Sequence, residues 1–304
     1  MESLFFNIGD KRYKTTRLYE KGKQHITRVD ISNGIVFFDI CLSEHGKRSF
    51  DIKNLDRMVV ITVVKEGGFT IRQKGSEKVL SSGRDEVNIY CSSRQDFVLT
   101  IEASRRSDIF VLCIADFFLK RYLSLNRNEP IDFLYEKIQG EIGAELVDSK
   151  PLDALTLHII DKIIDTRHQQ RLHSIKCEHS VIEFMIHRFS LICLVDENID
   201  SDELEIAHEA QKYLLNNFVK PPTIPELAHI CATNETKLKR AFKKVYKTTI
   251  GGYIRKLRLE RANLLLKDRM ISIGEVAREV GYNHQGYFGR LFFEAYGIYP
   301  KDLK

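Results

Sequence analysis

Between Thr236 and Arg269 the chain carries 12 Lys and Arg residues against two carboxylates, Glu260 and Asp268. A block of one sign is often only a solvated face, but it also suits a polyanion whose phosphates must be neutralised. Side chains within and beyond it can do more than neutralise. A guanidinium fork matches O6 and N7 of guanine, and a Gln amide matches N6 and N7 of adenine. Two groups of residues have that capacity. In the first, Glu235, Thr236, Lys239 and Arg240, the Arg240 fork suits guanine and Lys239 suits guanine or a phosphate. Thr236 suits a base edge or a thymine methyl. Lys243, Lys244 and Lys247 follow and are assigned to phosphate, where they position without specifying. The second group is His284, Gln285, Gly286, Tyr287, Gly289 and Arg290. Here Gln285 suits adenine, and Arg290 suits guanine, a phosphate or a salt bridge within the chain.

The elements that must hold these groups repeat. Thr223-Ile-Pro-Glu-Leu-Ala228 leads to Leu238-Lys-Arg-Ala-Phe242 and Tyr246. Ser272-Ile-Gly-Glu-Val-Ala277 leads to Phe288-Gly-Arg-Leu-Phe292 and Tyr296. Each copy opens on an N-cap residue with Glu three places on, a capping box. A short apolar-faced helix, a tight turn and a second helix with exposed basic residues follow, the pattern of a helix-turn-helix. The turns fall near Cys231–Asn234 and at Gly281-Tyr-Asn283, and the recognition helices at about 235–245 and 284–296. Asn234 is placed to cap the first, and Gly297 to end the second ahead of Pro300. Helices are expected at about 204–218 before the repeat and at 250–267 between its copies. On the latter, Ile254, Leu257, Leu264 and Leu265 read as the buried side. Arg255, Lys256, Arg258 and Arg261 read either as phosphate contacts or as residues that only aid solubility.

Upstream, short β-branched and aromatic runs between about 26 and 115, punctuated by Gly and Ser, read as a β-sandwich or small barrel. The first 25 residues read as an arm or edge strand. Helices follow at about 116–125, 131–142, around 152–164 and at 169–194, packed on the strands or forming a dimer interface. The acidic stretch 196–203 reads as a linker, giving one domain at 1–195 and a DNA-binding domain at 204–304. Residues 201–304 have a net charge of +6 and residues 1–200 of −1, so the basic character is concentrated at one end.

Several function classes lose ground. No apolar run approaches the roughly 20 residues of a membrane span. With no secretory signal at residues 1–7, a cytoplasmic, membrane-free protein is expected. The six cysteines (Cys41, Cys91, Cys113, Cys177, Cys193 and Cys231) are scattered without ligand spacing and read as buried thiols. A metal-dependent barrel enzyme fused to a DNA-binding module is the alternative reading. It would want several His and a carboxylate on neighbouring strands, whereas only His25 and His45 fall in the first 150 residues. Phosphate-loop and nucleophile-elbow patterns are absent, so neither catalysis nor a cofactor is expected. His25, Arg28, Tyr90 and Arg94 read as surface residues. Cys177 and His179 form no known ligand pattern.

The stretch Ile254-Arg-x-x-Arg258-Leu-x-x-Ala262-x-x-Leu265, then Ile273-x-Glu-Val-Ala277-x-x-x-Gly281-Tyr282, Tyr287-Phe288-x-Arg290-x-Phe292 and Gly297-x-x-Pro300, resembles the AraC/XylS family of bacterial transcription regulators. The resemblance covers about residues 206–303. It implies an α+β, two-domain chain: a cupin-like N-terminal β-barrel with flanking helices, and an all-α C-terminal domain whose two helix-turn-helix lobes are joined by a long helix. It implies Thr236, Lys239 and Arg240 as reading positions. It also implies double-stranded DNA and RNA polymerase as partners, a small-molecule or protein effector, a homodimer, and activation as the commoner outcome. The chain departs from the family at Gly286 and Gly289, where side chains able to contact DNA are common. It departs again at Phe293-Glu294, which replaces a commonly basic pair. A weaker second lobe is expected.

Overall fold

A computed structural model of the chain describes residues 2–5, 13–32, 34–43, 46–53, 57–73, 79–93, 97–103, 106–124, 129–140, 144–165, 172–192, 200–268 and 270–303. It divides into two bodies, one of Met1–Leu152 with Thr156–Ile192, the other of Asp153–Leu155 with Cys193–Lys304. His45, Arg94, Cys193 and residues 196–199 of the expected linker lie outside the described residues.

In the first body the β-branched runs pair into strands β1 (Glu2–Phe5), β2 (Lys14–Lys21), β3 (Gln24–Ser32), β4 (Ile35–Leu42), β5 (Gly46–Lys53), β6 (Met58–Glu66), β7 (Phe69–Gln73), β8 (Val79–Ser82), β9 (Glu86–Ser92), β10 (Phe97–Ala103), β11 (Ser107–Ala115) and β12 (Glu145–Pro151). They form a five-stranded sheet, β1-β5-β10-β7-β8, and a seven-stranded sheet, β12-β9-β6-β11-β4-β3-β2. Pairing is antiparallel except that β1 runs parallel to β5. Among the described residues the end strands of neither sheet bond to each other, so the expected barrel is instead two open sheets. One apolar core joins them, with Phe38, Ile40, Val60 and Cys113 from the larger sheet against Phe69, Phe97 and Leu99 from the smaller.

Helices α1 (Asp116–Leu119), α2 (Pro130–Gln139), α3 (Ala154–Asp165) and α4 (His173–Phe189) accompany the sheets. On the other face of the large sheet, Phe37 and Phe110 meet at 5.3 Å and Phe110 meets Phe184 of α4 at 6.0 Å. Cover on both faces is why β4 and β6 read as continuous apolar runs rather than alternating ones. β2 is an edge strand as expected. β5, β8 and β12 carried no signal, being short or mixed in polarity; β12 is a strand because β9 offers it an edge. Tyr90, expected at the surface, is buried, and Ser82 and Asn88 join it in a polar network. Burial pushes the Cys91 thiol up to about 12, and Cys113, Cys177 and Cys231 are buried as well.

The second body holds α5 (Ser201–Asn217), α6 (Ile224–Ile230), α7 (Glu235–Tyr246), α8 (Ile250–Leu265), α9 (Ile273–Glu279) and α10 (Gln285–Tyr296). It has two cores. Leu214, Leu227, Leu238 and Phe242 centre the first, and Val276, Val280, Phe288 and Phe292 the second. α8 serves both, through Ile250 and Tyr253 in one and Leu259, Ala262 and Leu266 beside it in the other. The expected buried side of α8 is therefore corrected: Ile254, Leu257, Leu264 and Leu265 are half-buried flanks. α5 starts at Ser201 on the cap Asp200, so residues 201–203, expected as the end of the linker, are its first turn.

Candidate nucleic-acid interface

Each lobe is set up by its capping box. Thr223 N–H donates to Glu226 at 2.7 Å, and Ser272 N–H to Glu275 at 2.8 Å. Both Glu N–H groups return bonds to the hydroxyls, at 3.4 and 3.2 Å. In the turns that follow, equivalent residues are left-handed: Ala232 at φ 49° and Gly281 at φ 89°. Gly281 has a second constraint, since a Cβ there would stand 2.6 Å from the Val219 carbonyl oxygen. The recognition helices end alike, on left-handed Lys247 and Gly297. They begin differently. Asn234 Oδ1 accepts from Lys237 N–H at 2.9 Å, whereas His284 makes no side-chain cap.

On α7, Leu238, Ala241, Phe242 and Val245 are buried. At about 100° per residue, the positions opposite that stripe are Thr236, Arg240, Lys243 and Lys247. All four are exposed. Among the described residues the Thr236 and Lys243 side chains have no partner. Lys239 and Lys244 flank the row on opposite sides. Lys239 pairs with Glu235 at 2.8 Å, one turn back. Lys244 Nζ donates to Glu203 Oε2 of α5 at 2.6 Å, and Arg240 Nε donates to Glu203 Oε1 at 3.0 Å. Lys237 also leans toward α5 and pairs with Asp202. The residues expected to touch DNA therefore share one exposed face.

The equivalent row on α10 is Gly286, Arg290, Phe293 and Gly297, opposite buried Phe288, Leu291 and Phe292. Nothing lies within 4 Å of a Cβ built at Gly286 or Gly289, so both are open surface. Arg290 is one candidate reader on this row, but it sits 3.7 Å from Glu294 and over the Tyr287 ring. Phe293 stacks on Tyr299 with centroids 4.5 Å apart. Gln285 matches Glu235 rather than the outward row, and its Oε1 lies 3.1 Å from a Cβ built on Gly274 of α9. Both rows keep one arginine, but where the first lobe presents Lys243 and Lys247 the second presents Phe293 and Gly297.

Two residues beside the interface carried no sequence signal for their roles. Arg258 donates to the carbonyls of Phe218 and Val219 at 2.9 Å each, and its guanidinium lies 5.3 Å from the Tyr282 ring centroid. It ties the end of α5, α8 and the second turn together, a role that neither expected reading included. Its partners are about 40 residues away in sequence. Glu203 has partners as distant, Arg240 and Lys244, and the Lys244 ammonium bonded to it holds its carboxyl below the usual carboxylate range.

Elsewhere, the first body holds an apolar, partly open pocket of about 40 Å³ between its sheets, lined by Phe38, Val60, Phe69, Tyr90, Leu99 and Val111. A groove of about 330 Å³ runs beside α4, lined by Tyr122, Pro130, Ile131, Ile182, Ile186 and Phe189. His25 pairs with Asp39 at 2.9 Å, and Arg28 with Asp30 at 2.6 Å. Among the described residues no helix is long and apolar enough to cross a membrane.

Comparison with known proteins agrees with this geometry. The family described as a helix-turn-helix domain matches residues 227–304. The transcriptional regulator GbdR of Pseudomonas aeruginosa is 36% identical over 86 residues, 28% of this chain and 23% of its own length. The chain thus matches about a quarter of that relative. The transcriptional activator RhaS of Mannheimia succiniciproducens is 25% identical over 195 residues, 64% of this chain and 70% of its own. Among solved structures, the C-terminal domain of AraT from Geobacillus stearothermophilus is 29% identical, covering 32% of this chain and 82% of that one at a TM-score of 0.30. Residues 227–304 are thus a helix-turn-helix domain, and this part of the chain is similar to the corresponding part of these transcriptional regulators.

Proposed function

We propose that the chain is a sequence-specific regulator of transcription that binds double-stranded DNA through α7 and α10 and responds to a signal in its first body. The observation that carries the reading is the exposed row Thr236, Arg240, Lys243 and Lys247 on a capped recognition helix. On this reading Thr236, Lys239, Arg240, Gln285 and Arg290 read base edges, and Lys243, Lys244 and Lys247 meet phosphate. The matched relatives are described as regulators, which favours this over a cupin-like enzyme. RhaS is described as an activator, and activation through RNA polymerase is the corresponding outcome here.

The division of the chain is part of the proposal: sensing and dimerisation in 1–195, DNA binding in 204–304. An effector seated between the sheets would meet apolar walls, which suits an apolar acyl or aromatic compound better than a sugar. A cavity of about 40 Å³ is well below the roughly 150 Å³ that holds benzene. Binding would therefore part the sheets, which is how an effector biases one conformation over another. A second copy would cover the exposed Leu172, which caps α4, and Ile175 and Ile186 on it.

Selection of bound sequences from random duplex DNA tests the reading. Enrichment of two short blocks about one helical turn apart is expected if both lobes read, and one block if the first dominates. Binding that depends only on salt, with no enrichment under any added effector, would overturn it.

A further inference from the structure

Glu203 belongs to the first turn of α5 and has a side chain only 9% exposed, yet its two carboxylate oxygens face the DNA-reading helix. Oε1 accepts from Arg240 Nε at 3.0 Å and Oε2 from Lys244 Nζ at 2.6 Å. The Arg240 contact is made through Nε, so the Nη1–Nη2 edge of the guanidinium is left to solvent, and the side chain is 65% exposed. That edge is one of the two forks that match guanine O6 and N7. A carboxylate that merely neutralised Arg240 would need no such orientation. Breaking the pair would also cost the carboxylate one of its two charge-assisted bonds. Contact with DNA through Nη1 and Nη2 does not require the pair to break. In the second lobe, by contrast, Arg290 leans on its own helix, at 3.7 Å from exposed Glu294.

We propose that Glu203 is a positioning residue for base recognition: it holds Arg240 by Nε with the fork pointing outward and stays bonded in the DNA complex. This rests on Arg240 reading a base. Lys244 bonds the other oxygen of the same carboxylate and does not orient Arg240. The effect is specificity, because a fork held in one orientation loses less freedom when it pairs with a base.

The test uses the full chain and duplexes selected from random DNA by it. Arg240→Ala first identifies the base position whose preference depends on Arg240. Glu203→Gln is then expected to shrink that preference by at least about fivefold. Its affinity for random duplex should stay level or rise, because a negative charge has gone. Lys244→Met should weaken all duplexes and keep the preference. If Glu203→Gln tightens selected and random DNA by the same factor with the preference intact, Glu203 is only a screening charge and the proposal is wrong. If Arg240→Ala alters no base preference, base reading by Arg240 fails first, and the proposal falls with it. The Arg240 Nε–H proton resonance, followed in the intact protein with and without a selected duplex, is independent of any variant's folding. A proton that remains protected on binding DNA is expected; one that becomes exposed overturns persistence of the pair.

Discussion

Arg240 and Lys244 stand one helical turn apart and share the Glu203 carboxylate, yet they are expected to behave differently toward DNA. Arg240→Ala should cost about 1–3 kcal/mol at one base position and little elsewhere. Lys244→Ala should weaken all sequences about equally and lower the salt slope by about one. Competition binding with selected and random duplexes at two salt concentrations separates them; equal losses on both duplexes would merge the two roles. The Glu203 carboxyl also sets a pH dependence. Its pKa in the folded chain lies below that of the unfolded chain, with the Lys244 bond the leading cause. The pairing therefore contributes stability in full above the unfolded carboxylate range and loses it as pH falls through the folded value. The melting temperature of wild type should exceed that of Glu203→Gln near neutrality, and the gap should close in acid. A gap unchanged down to pH 3 would show that the charge of Glu203 is not what stabilises the contact.

At the scale of elements, the caps and turns set how each recognition helix leaves its partner. Thr223→Ala and Ser272→Ala each remove the hydroxyl side of a capping box and should cost about 1 kcal/mol. Gly281→Ala should cost more, about 1–3 kcal/mol, because the added Cβ meets the Val219 oxygen and the residue must stay left-handed. Denaturant titration of the three variants checks the order. A harmless Gly281→Ala would mean that the second turn relaxes freely. Arg258 belongs at this scale too: its bonds to the Phe218 and Val219 carbonyls satisfy the free end of α5.

At the scale of the whole molecule, two lobes of one ancestry of pattern have been given unequal surfaces. Lys243, Lys244 and Lys247 of the first correspond to Phe293, Glu294 and Gly297 of the second. The first lobe should thus supply most of the phosphate attraction, and Lys243→Ala should reduce the salt slope where Phe293→Ala does not. The first body presents apolar side chains on α4, among them Ile175 and Ile186, each about two-thirds exposed. Isolated exposed residues would need no explanation, but these lie along one helix beside a groove. Ile175→Asp with Ile186→Asp should turn a dimer into a monomer of unchanged melting temperature. Sedimentation at several concentrations reads this; a wild-type chain that is monomeric throughout would remove the dimer from the proposal.

What the sequence determined by itself is local. Capping boxes, the Asn234 cap, the left-handed Gly297 and the apolar stripes of α7 and α10 depend on residues three or four places apart, so their spacing declares them. The outward row of α7 follows from the same periodicity. Tertiary structure alone decided what depends on distant partners. Whether the strands close into a barrel turns on which edges meet, and the alternation of side chains is the same in an open sheet. The strand β12 exists through its neighbour β9, and Tyr90 is buried because two sheets meet over it. Arg258 and Glu203 read as ordinary surface charges until the carbonyls and cations some 40 residues away are brought to them. A charged side chain takes its role from whichever group neutralises it, and chain spacing carries no record of that group.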